Sequence, residues 1–552
     1  MAWMNVLPRP GVIRLATPND APNSFWATDN VRWVAGALCP TGGSTRLTTQ
    51  PMASVARKIF QWRDATNEIW TAIGAEQQLY ILYGSLTNVT PSGFKGFNDY
   101  DGGGYGIGYY DAGASPDAAK CVNDNPIGTT DPTKFGTSVY GRKYHENPPE
   151  YRKPDYWSFD TWGQNLVAMS SSDGRLLQFA PTFGVLPTAT VMTNAPRGIG
   201  TIVTPERSCF VIGAYNPQAS TDAVKPNNGL PYSDTNSGRF IAWSDFENID
   251  TGWNYNQVTG QAGWLQLEAT TPIVTSIEVK EGVLVLTQRE AFIVQYVGAP
   301  YFYSYRPLGN TTFYTPNAIA TAGGRTIWLG DETFWLYDGA TIQPLQCPFF
   351  NDLKQDIDDL NSHFRCHMHA NGKFPEFWLE YPSINSTDGE CDKYIIWNYA
   401  ENWWAAGSRR RTASCGATTA NFPIATGVDK IVYRHEDGWL EDGSKSRAAE
   451  GRIYVETSVL DIGANNKIID VNQAMVACDP SFNNQNYSLT FFSKFTPDQN
   501  DVQFGPYYPR PDGYLDCRAT ARDIRMRVKA TDDAYWSVGA IRLNIVPTGS
   551  DR

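Results

Sequence analysis

The sequence predicts an all-β protein, a β-propeller with a long Gly/Tyr-rich insertion and additional β platform or channel domains. Three observations predict it. Of 552 residues 41% are hydrophobic, 13% aromatic and 18% charged, which is too apolar and too weakly charged for a disordered chain. The 48 glycines and 35 prolines imply many turns and therefore many short strands. Helical periodicity is almost absent, and in its place an apolar run, a polar turn and a second apolar run recur along the chain.

The recurring unit reads as a hairpin. Trp70 to Gly74 leads to Leu79 to Leu82, and Leu166 to Met169 is followed by the turn Ser172-Asp173-Gly174-Arg175 and by Leu176 to Phe179, with Asp-Gly as the turn signal. Further units begin at Cys209, Val283, Ile327, Phe377 and Ile424. From Leu166 onward the starts are separated by 43, 74, 44, 50 and 47 residues, the length of a four-stranded propeller blade. The 74-residue interval leaves the number of blades open, since it has room for a further copy or for a loop.

A propeller over residues 51–450 is therefore expected, preceded by a segment 1–50 that joins the platform and followed by a β domain over 451–552. Between the first two hairpins, at about 90–156, lies a stretch rich in Gly, Tyr, Asp and Pro, including Tyr105, Tyr109 and Tyr110. Glycine has no side chain to pack and loses the most backbone entropy on ordering, so this stretch reads as an insertion loop reaching away from the blades. One helix is expected, from Asn351 as its cap to Phe364, with Leu353, Ile357, Leu360 and Phe364 at helical spacing. In the last domain, Asp523 to Lys529 alternates Ile524, Met526 and Val528 with Arg525, Arg527 and Lys529, the pattern of a strand buried on one face.

Acidic residues outnumber basic ones and the net charge is −12, which argues against broad binding of nucleic acid. No signal peptide and no run long enough to cross a membrane is expected. Nine cysteines without a CxxC pair read as mostly buried reduced thiols, as in a reducing cytoplasm. Against that acidic background two basic clusters stand out: Arg409-Arg410-Arg411, and the C-terminal face bearing Arg525, Arg527 and Lys529. Together with Tyr105, Tyr109 and Tyr110 they are the expected contact residues.

Chemistry is harder to find. On a strand His363, His367 and His369 would share a face, but zinc needs three or four converging ligands, and ordinary histidines are the expectation. No GxSxG elbow and no phosphate-binding glycine loop in a strand–helix setting occurs. Only two other histidines, His145 and His435, could serve a Ser or Cys nucleophile, and His435 reads as a structural residue of a turn between strands; Glu376, Glu380, Asp392 and Glu401 cannot be paired by sequence into the two-acid arrangement of a glycosidase. No catalytic, metal or cofactor residue is therefore assigned.

Several motifs, in order, resemble one family. They are Gly11-Val12-Ile13-Arg14, Asp29-Asn30-Val31-Arg32 and Gly42-Gly43; Trp157 to Leu166; Asn194-Ala195-Pro196 and Val203 to Arg207; Val294 to Gly298; Glu376 to Ser383; Tyr394 to Tyr399 with Glu401, Trp404, Gly407 and Arg411; and Arg525 to Val528 with Trp536 to Gly539. This series resembles the tail nozzle (stopper, packaged-DNA stabilisation or tail tubular B-type) proteins of short-tailed bacteriophages. The resemblance implies a structural virion protein without enzymatic activity or cofactor, made in the host cytoplasm. It implies a homo-hexamer in the virion tail, below the portal and adaptor. There it would retain packaged DNA, conduct the double strand transiently and hold tailspikes or fibres and a needle or plug protein. The reading kept beside it is a propeller that binds or cleaves glycans as a host-surface adhesin or depolymerase.

Overall fold

The computed structural model describes residues 2–6, 8–14, 21–96, 155–215, 238–255, 260–359, 362–417, 419–460, 468–478, 486–494 and 499–547. Tyr105, Tyr109, Tyr110 and His145 lie outside them. Seven antiparallel four-stranded sheets follow one another around a ring, so the chain is a seven-bladed β-propeller with additional β-sheets. Blade 1 runs from Ala56–Arg63 to Ser85–Asn88, blade 2 from Trp157–Trp162 to Thr190–Val191, blade 3 from Gly200–Val203 to Gly263–Gln266 and blade 4 from Ile273–Val279 to Phe302–Asn310. Blade 5 spans Ile319–Ala322 to Ile342–Leu345, and blade 6 spans His367–Ala370 to Trp403–Ser408.

The seven hairpins read from the sequence are the second and third strands of the seven blades. They were legible because these strands are buried on both faces, between adjacent blades. In Asn165–Ser170 of blade 2, Leu166 and Ala168 enter the core shared with blade 1 while Val167 and Met169 enter the core shared with blade 3. In Gly282–Thr287 of blade 4, Val283 and Val285 face blade 3 while Leu284 and Leu286 face blade 5. Each such aliphatic side chain contributes about 1.5–3 kcal/mol by leaving water. The 74-residue interval is blade 3 itself, whose second and third strands, Cys209–Ile212 and Phe240–Trp243, are joined by the longer connection.

Blade 7 has three strands from the end of the propeller, Ala413–Cys415, Ile424–Thr426 and Val432–His435, and a fourth from the beginning of the chain. That fourth strand, Ser44–Arg46, pairs antiparallel with Val432–His435, placing Ser44 opposite His435 and Arg46 opposite Tyr433. Residues 44–46 thus belong to the ring and not to the leading segment.

The platform is built from both ends of the chain. A six-stranded sheet combines Ala2–Val6, Val31–Val34 and Ala37–Pro40 with Ile469–Cys478, Tyr514–Ala521 and Val538–Pro547. A five-stranded sheet orders Phe25–Asp29, Tyr454–Thr457, Asp523–Ala530, Tyr487–Lys494 and Val502–Tyr507. Asp523–Ala530 alternates half-buried and buried along its whole length, and its buried residues Ile524, Met526 and Val528 join Ile469, Val471, Leu515 and Leu543 of the other sheet in one core. The same core continues into blades 5 and 6 through Phe334, Phe377, Trp397 and Trp404.

The helix is shorter than its periodicity suggests, Phe350–Asp356, with Asn351 inside it and no side-chain cap at Phe349. It ends because Ile357 turns extended and bridges to Ser383. Leu353 and Ile357 are buried, and Phe364 falls in a separate short turn, His363–Arg365.

Closure of the ring presses backbone on backbone at Gly43, where an added Cβ would lie 2.3 Å from the Leu440 carbonyl oxygen. Gly43→Ala is expected to destabilise the protein by about 1–3 kcal/mol. Gly200→Ala, whose Cβ would approach nothing nearer than the Ser158 hydroxyl at 3.3 Å, is expected to cost clearly less; equal urea midpoints for the two variants would contradict this account.

Candidate functional site

The residues that precede the inner strands of successive blades converge at one end of the propeller axis. Tyr156 (blade 2), Ile199 (blade 3), Pro272 (blade 4), Thr315 and Pro316 (blade 5) and Phe364 (blade 6) line a cavity of about 450 Å³, with the turns at Ser171, Gln288-Arg289 and Asp331 completing the wall. The cavity is aromatic, through Tyr156, Phe313, Tyr314 and Phe364, and among the described residues Asp331 is the one carboxylate in its lining. Glycoside hydrolysis by a pair of acids needs a second.

On the side of blades 1 and 6, four charges meet. Arg57, 4% exposed, donates to Glu76 (2.9 Å) and Glu390 (2.8 Å), and Arg365 donates to Glu390 (2.8 Å). Asn317 of blade 5 donates to the Arg57 carbonyl from across the axis (3.4 Å). Burial alone would raise the Glu390 carboxyl, but Arg57 and Arg365 bring it down to about 2.

A second set of buried charges lies in the seam between blades 6 and 7, the leading segment and the connector after His435. Arg32 is 1% exposed, pairs with Glu376 (3.0 Å) and Glu436 (3.0 Å), and lies over the Phe374 ring at 3.9 Å. Arg409 donates to Glu380 (2.8 Å) and covers the Trp378 ring at 4.4 Å. Arg411 donates to His435 Nε2 (2.9 Å), Ser44 Oγ (3.1 Å) and Asp442 (2.8 Å). Arg447 donates to the carbonyls of Thr41 (2.8 Å) and Trp439 (2.9 Å).

The triplet Arg409-Arg410-Arg411, read from the sequence as one contact cluster, is thereby divided. It crosses from the outer strand of blade 6 to the inner strand of blade 7, so Arg409 and Arg411 turn inward and Arg410 stays at the surface beside Asp388. The adjoining cleft of about 410 Å³ has five basic and five acidic residues in its lining, so it favours neither sign of charge.

The carboxylates considered for hydrolysis are each engaged by a neighbour. Glu376 and Glu380 are fully buried against Arg32 and Arg409, Asp392 accepts from Ser383, and Glu401 accepts from the Ala35 backbone. Burial alone would push the Glu380 carboxyl up, yet Arg409 and His367 hold it well below the usual range.

One constellation could not be seen in the sequence. Cys391 Sγ lies 3.7 Å from His367 Nδ1, and His367 Nε2 meets Glu380. Its order resembles nucleophile, base and orienting acid. Cys391 is, however, fully buried, and burial pushes its thiol well above the ordinary value, so no thiolate is presented to a substrate. Nor do the three histidines share a strand: His363 sits in the short turn, while His367 and His369 are in His367–Ala370, where His369 stacks on Trp378. Among the described residues no group of three or more His, Cys, Asp or Glu could hold a metal ion.

The platform divides the second basic cluster in the same way. Arg525 donates to Glu456 (2.6 Å) and also pairs with Asp501; Arg527 donates to the other Glu456 oxygen (2.6 Å) and lies between the rings of Tyr454 and Phe492. Lys529 has no ion pair among the described residues and borders a cleft of about 390 Å³.

No family model matches the chain, and no curated protein matches it. Among solved structures it is similar to the Cps50 (Swd1) β-propeller domain of Myceliophteria thermophila, with 8% identity and a TM-score of 0.35 over 71% of this chain and 99% of that one. It is also similar to PorZ, a bacterial surface component of the type-IX secretion system of Porphyromonas gingivalis, with 8% identity and a TM-score of 0.32 over 80% of this chain and 44% of that one. Likenesses this slight bear on neither activity nor partners.

Two outcomes are expected from the buried charges. Arg32→Met should cost about 3–5 kcal/mol, because it leaves Glu376 and Glu436 buried without a counter-charge. Adding Glu376→Gln and Glu436→Gln should restore part of that loss, read from urea midpoints; no recovery would show that packing, not charge, sets the cost. Burial lowers His369 to about 3 and, with Arg409 and Arg411 beside it, holds His435 well below its ordinary 6.5. Both rings are therefore neutral when folded, and the unfolded chain binds more protons below about pH 6.5. Their contribution is complete above that pH and declines as the pH falls, by up to about 1.4 kcal/mol per unit for each ring. Asp29, Asp155 and Asp160, all raised to about 6 by burial, act in the opposite sense between about 3.8 and 6. A His369→Asn, His435→Asn variant should lose less stability than the parent from pH 6.5 to 4.5; parallel slopes would refute it.

Proposed function

We propose that the chain is a non-enzymatic structural subunit of the tail nozzle of a short-tailed bacteriophage. It would act as a homo-hexamer below the portal and adaptor, retaining packaged DNA, conducting it during ejection and holding tailspikes or fibres and a needle or plug protein. What carries this reading is that many of the residues behind the family resemblance are seam residues. Asp29 accepts from the Ser408 hydroxyl (2.7 Å) and backbone (2.8 Å), Arg32 sits between Glu376 and Glu436, Glu380 pairs with Arg409, and Arg411 reaches His435 and Ser44. Tyr394 accepts the Gly407 approach so closely that a Cβ there would lie 2.4 Å from its hydroxyl and 2.7 Å from Asp29.

Shared motifs that join propeller to platform favour a shared architecture over a shared chemistry. The buried Cys391 and the arginine-paired glutamates agree with a protein that holds shape. A net charge of −12 also suits a conduit, since an acidic wall repels phosphate and lets DNA slide where a basic wall would retain it.

A second reading, glycan binding, is favoured by one observation, the aromatic cavity at the propeller axis. Quantitative mass spectrometry of purified virus separates the two. The nozzle reading expects half as many copies of this protein as of the portal protein, and no glycan turnover by the purified chain. Absence from the particle would overturn it and turn attention to the axial cavity.

A further inference from the structure

The outer face of the five-stranded sheet carries a cleft that the seam and the axis do not explain. Its walls are the strands Asp523–Ala530 and Tyr487–Lys494, the sheet's last strand Val502–Tyr507, and Ala448 of the connector. Two cations border it, Arg527 and Lys529, and among the described residues no acidic one lines it. Arg527 is already committed to Glu456 and to two aromatic rings. Among the described residues Lys529 has no ion pair, and its position is built. Its Nζ lies so near Gly451, at φ +75°, that a Cβ there would come within 2.9 Å of it. Beneath lies Thr490, 7% exposed, whose hydroxyl has no side-chain partner among the described residues. Gln503 and Tyr508, the latter 59% exposed, form the outer lip.

A hydroxyl in the cleft lining and an ammonium without an ion pair among the described residues, in a lining that shows no carboxylate there, are groups that receive an anionic oxygen. Charge-assisted hydrogen bonds to such a group are roughly twice as strong as neutral ones. The chain as a whole carries −12, with 57 acidic residues against 45 basic ones. That field repels free nucleic acid and a second copy alike at long range, but within a Debye length the contact is decided locally, and a second copy carries acidic side chains in excess to meet a cation. The cleft also adjoins Val502–Tyr507, a sheet edge, where neighbouring chains meet most readily.

We propose that this cleft receives a carboxylate of a second copy of the chain, with Lys529 and Thr490 as the groups that bind it. The inference rests on the nozzle reading only for the expectation of neighbouring copies; its chemistry stands on the cleft itself. It separates Lys529 from Arg525 and Arg527, which the sequence grouped with it.

The test is carbodiimide coupling, which joins an ammonium to a carboxylate in contact. The full-length chain is prepared in normal and ¹⁵N-labelled form, mixed and treated over a range of concentrations. Lys529 joined to an Asp or Glu in mixed-isotope peptide pairs is the expected result, with loss of mixed-isotope dimer in Lys529→Ala and retention of association, measured by sedimentation, in Lys529→Arg. Lys529 coupled only within single copies, mixed pairs that form through other lysines alone, or no mixed pairs at any concentration would each overturn the proposal. So would binding of a short DNA duplex that Lys529→Ala abolishes, which would assign the cleft to phosphodiesters. The copy number in the virion decides the nozzle reading separately, so one can fail without the other.

Discussion

Blade 7 takes its outermost strand from the other end of the polypeptide, and the rest of the molecule is arranged around that fact. Pairing Ser44–Arg46 with Val432–His435 closes a loop of nearly four hundred residues, and closing it once fixes all seven blades in a ring. It also fixes what lies on either side. Residues just before the closing strand can only enter the platform, and so can those just after His435, so the two ends of the chain are delivered to the same place and share two sheets. A propeller whose platform strands come from both ends cannot open one part without loosening the other.

Buried arginine marks the places where this closure is held. Arg32, Arg57, Arg411 and Arg447 are all less than 5% exposed, and each spans parts of the chain that are distant in sequence. A fully satisfied buried ion pair gives little net stability compared with a well-packed apolar substitute. What it gives is a penalty for every alternative docking, because a guanidinium displaced from its carboxylates is left buried and unpaired. Planar guanidinium suits the task by donating in several directions while stacking on Phe374, Trp378 or Tyr433. The same pairing holds the Glu380 and Glu390 carboxyls below their ordinary range, so both are anions inside the fold.

How much of this was legible can be argued from particular segments. Gly282–Thr287 is apolar at every central position because neighbouring blades cover both of its faces, and a continuous apolar run before a turn is visible in any sequence. The outer strands are not visible in that way: Ile342–Leu345 has two exposed residues between two half-buried ones, and Ser44–Arg46 is three polar residues with no pattern at all. The helix was placed correctly but drawn too long, because the apolar spacing continues past Ile357 although the backbone turns there to bridge Ser383. In the candidate site, sequence could name Arg409, Arg411, Arg525 and Arg527 as cations yet not their partners, which lie on other strands. Cys391 and His367, 24 positions apart, meet only because the loop that leads into the third strand of blade 6 passes the start of its first strand.

Sequence by itself determined the secondary-structure class, the hairpin repeat of the blades and the one-sided amphipathic strand of the platform, because each depends on side chains two to five residues apart meeting the same environment. The tertiary structure decided the blade count, the strand that closes the ring and which of the basic residues are paired among the described residues. Those outcomes depend on contacts across hundreds of residues, where a charge is neutralised or left open according to which strand lies beside it, and no local pattern encodes that neighbour.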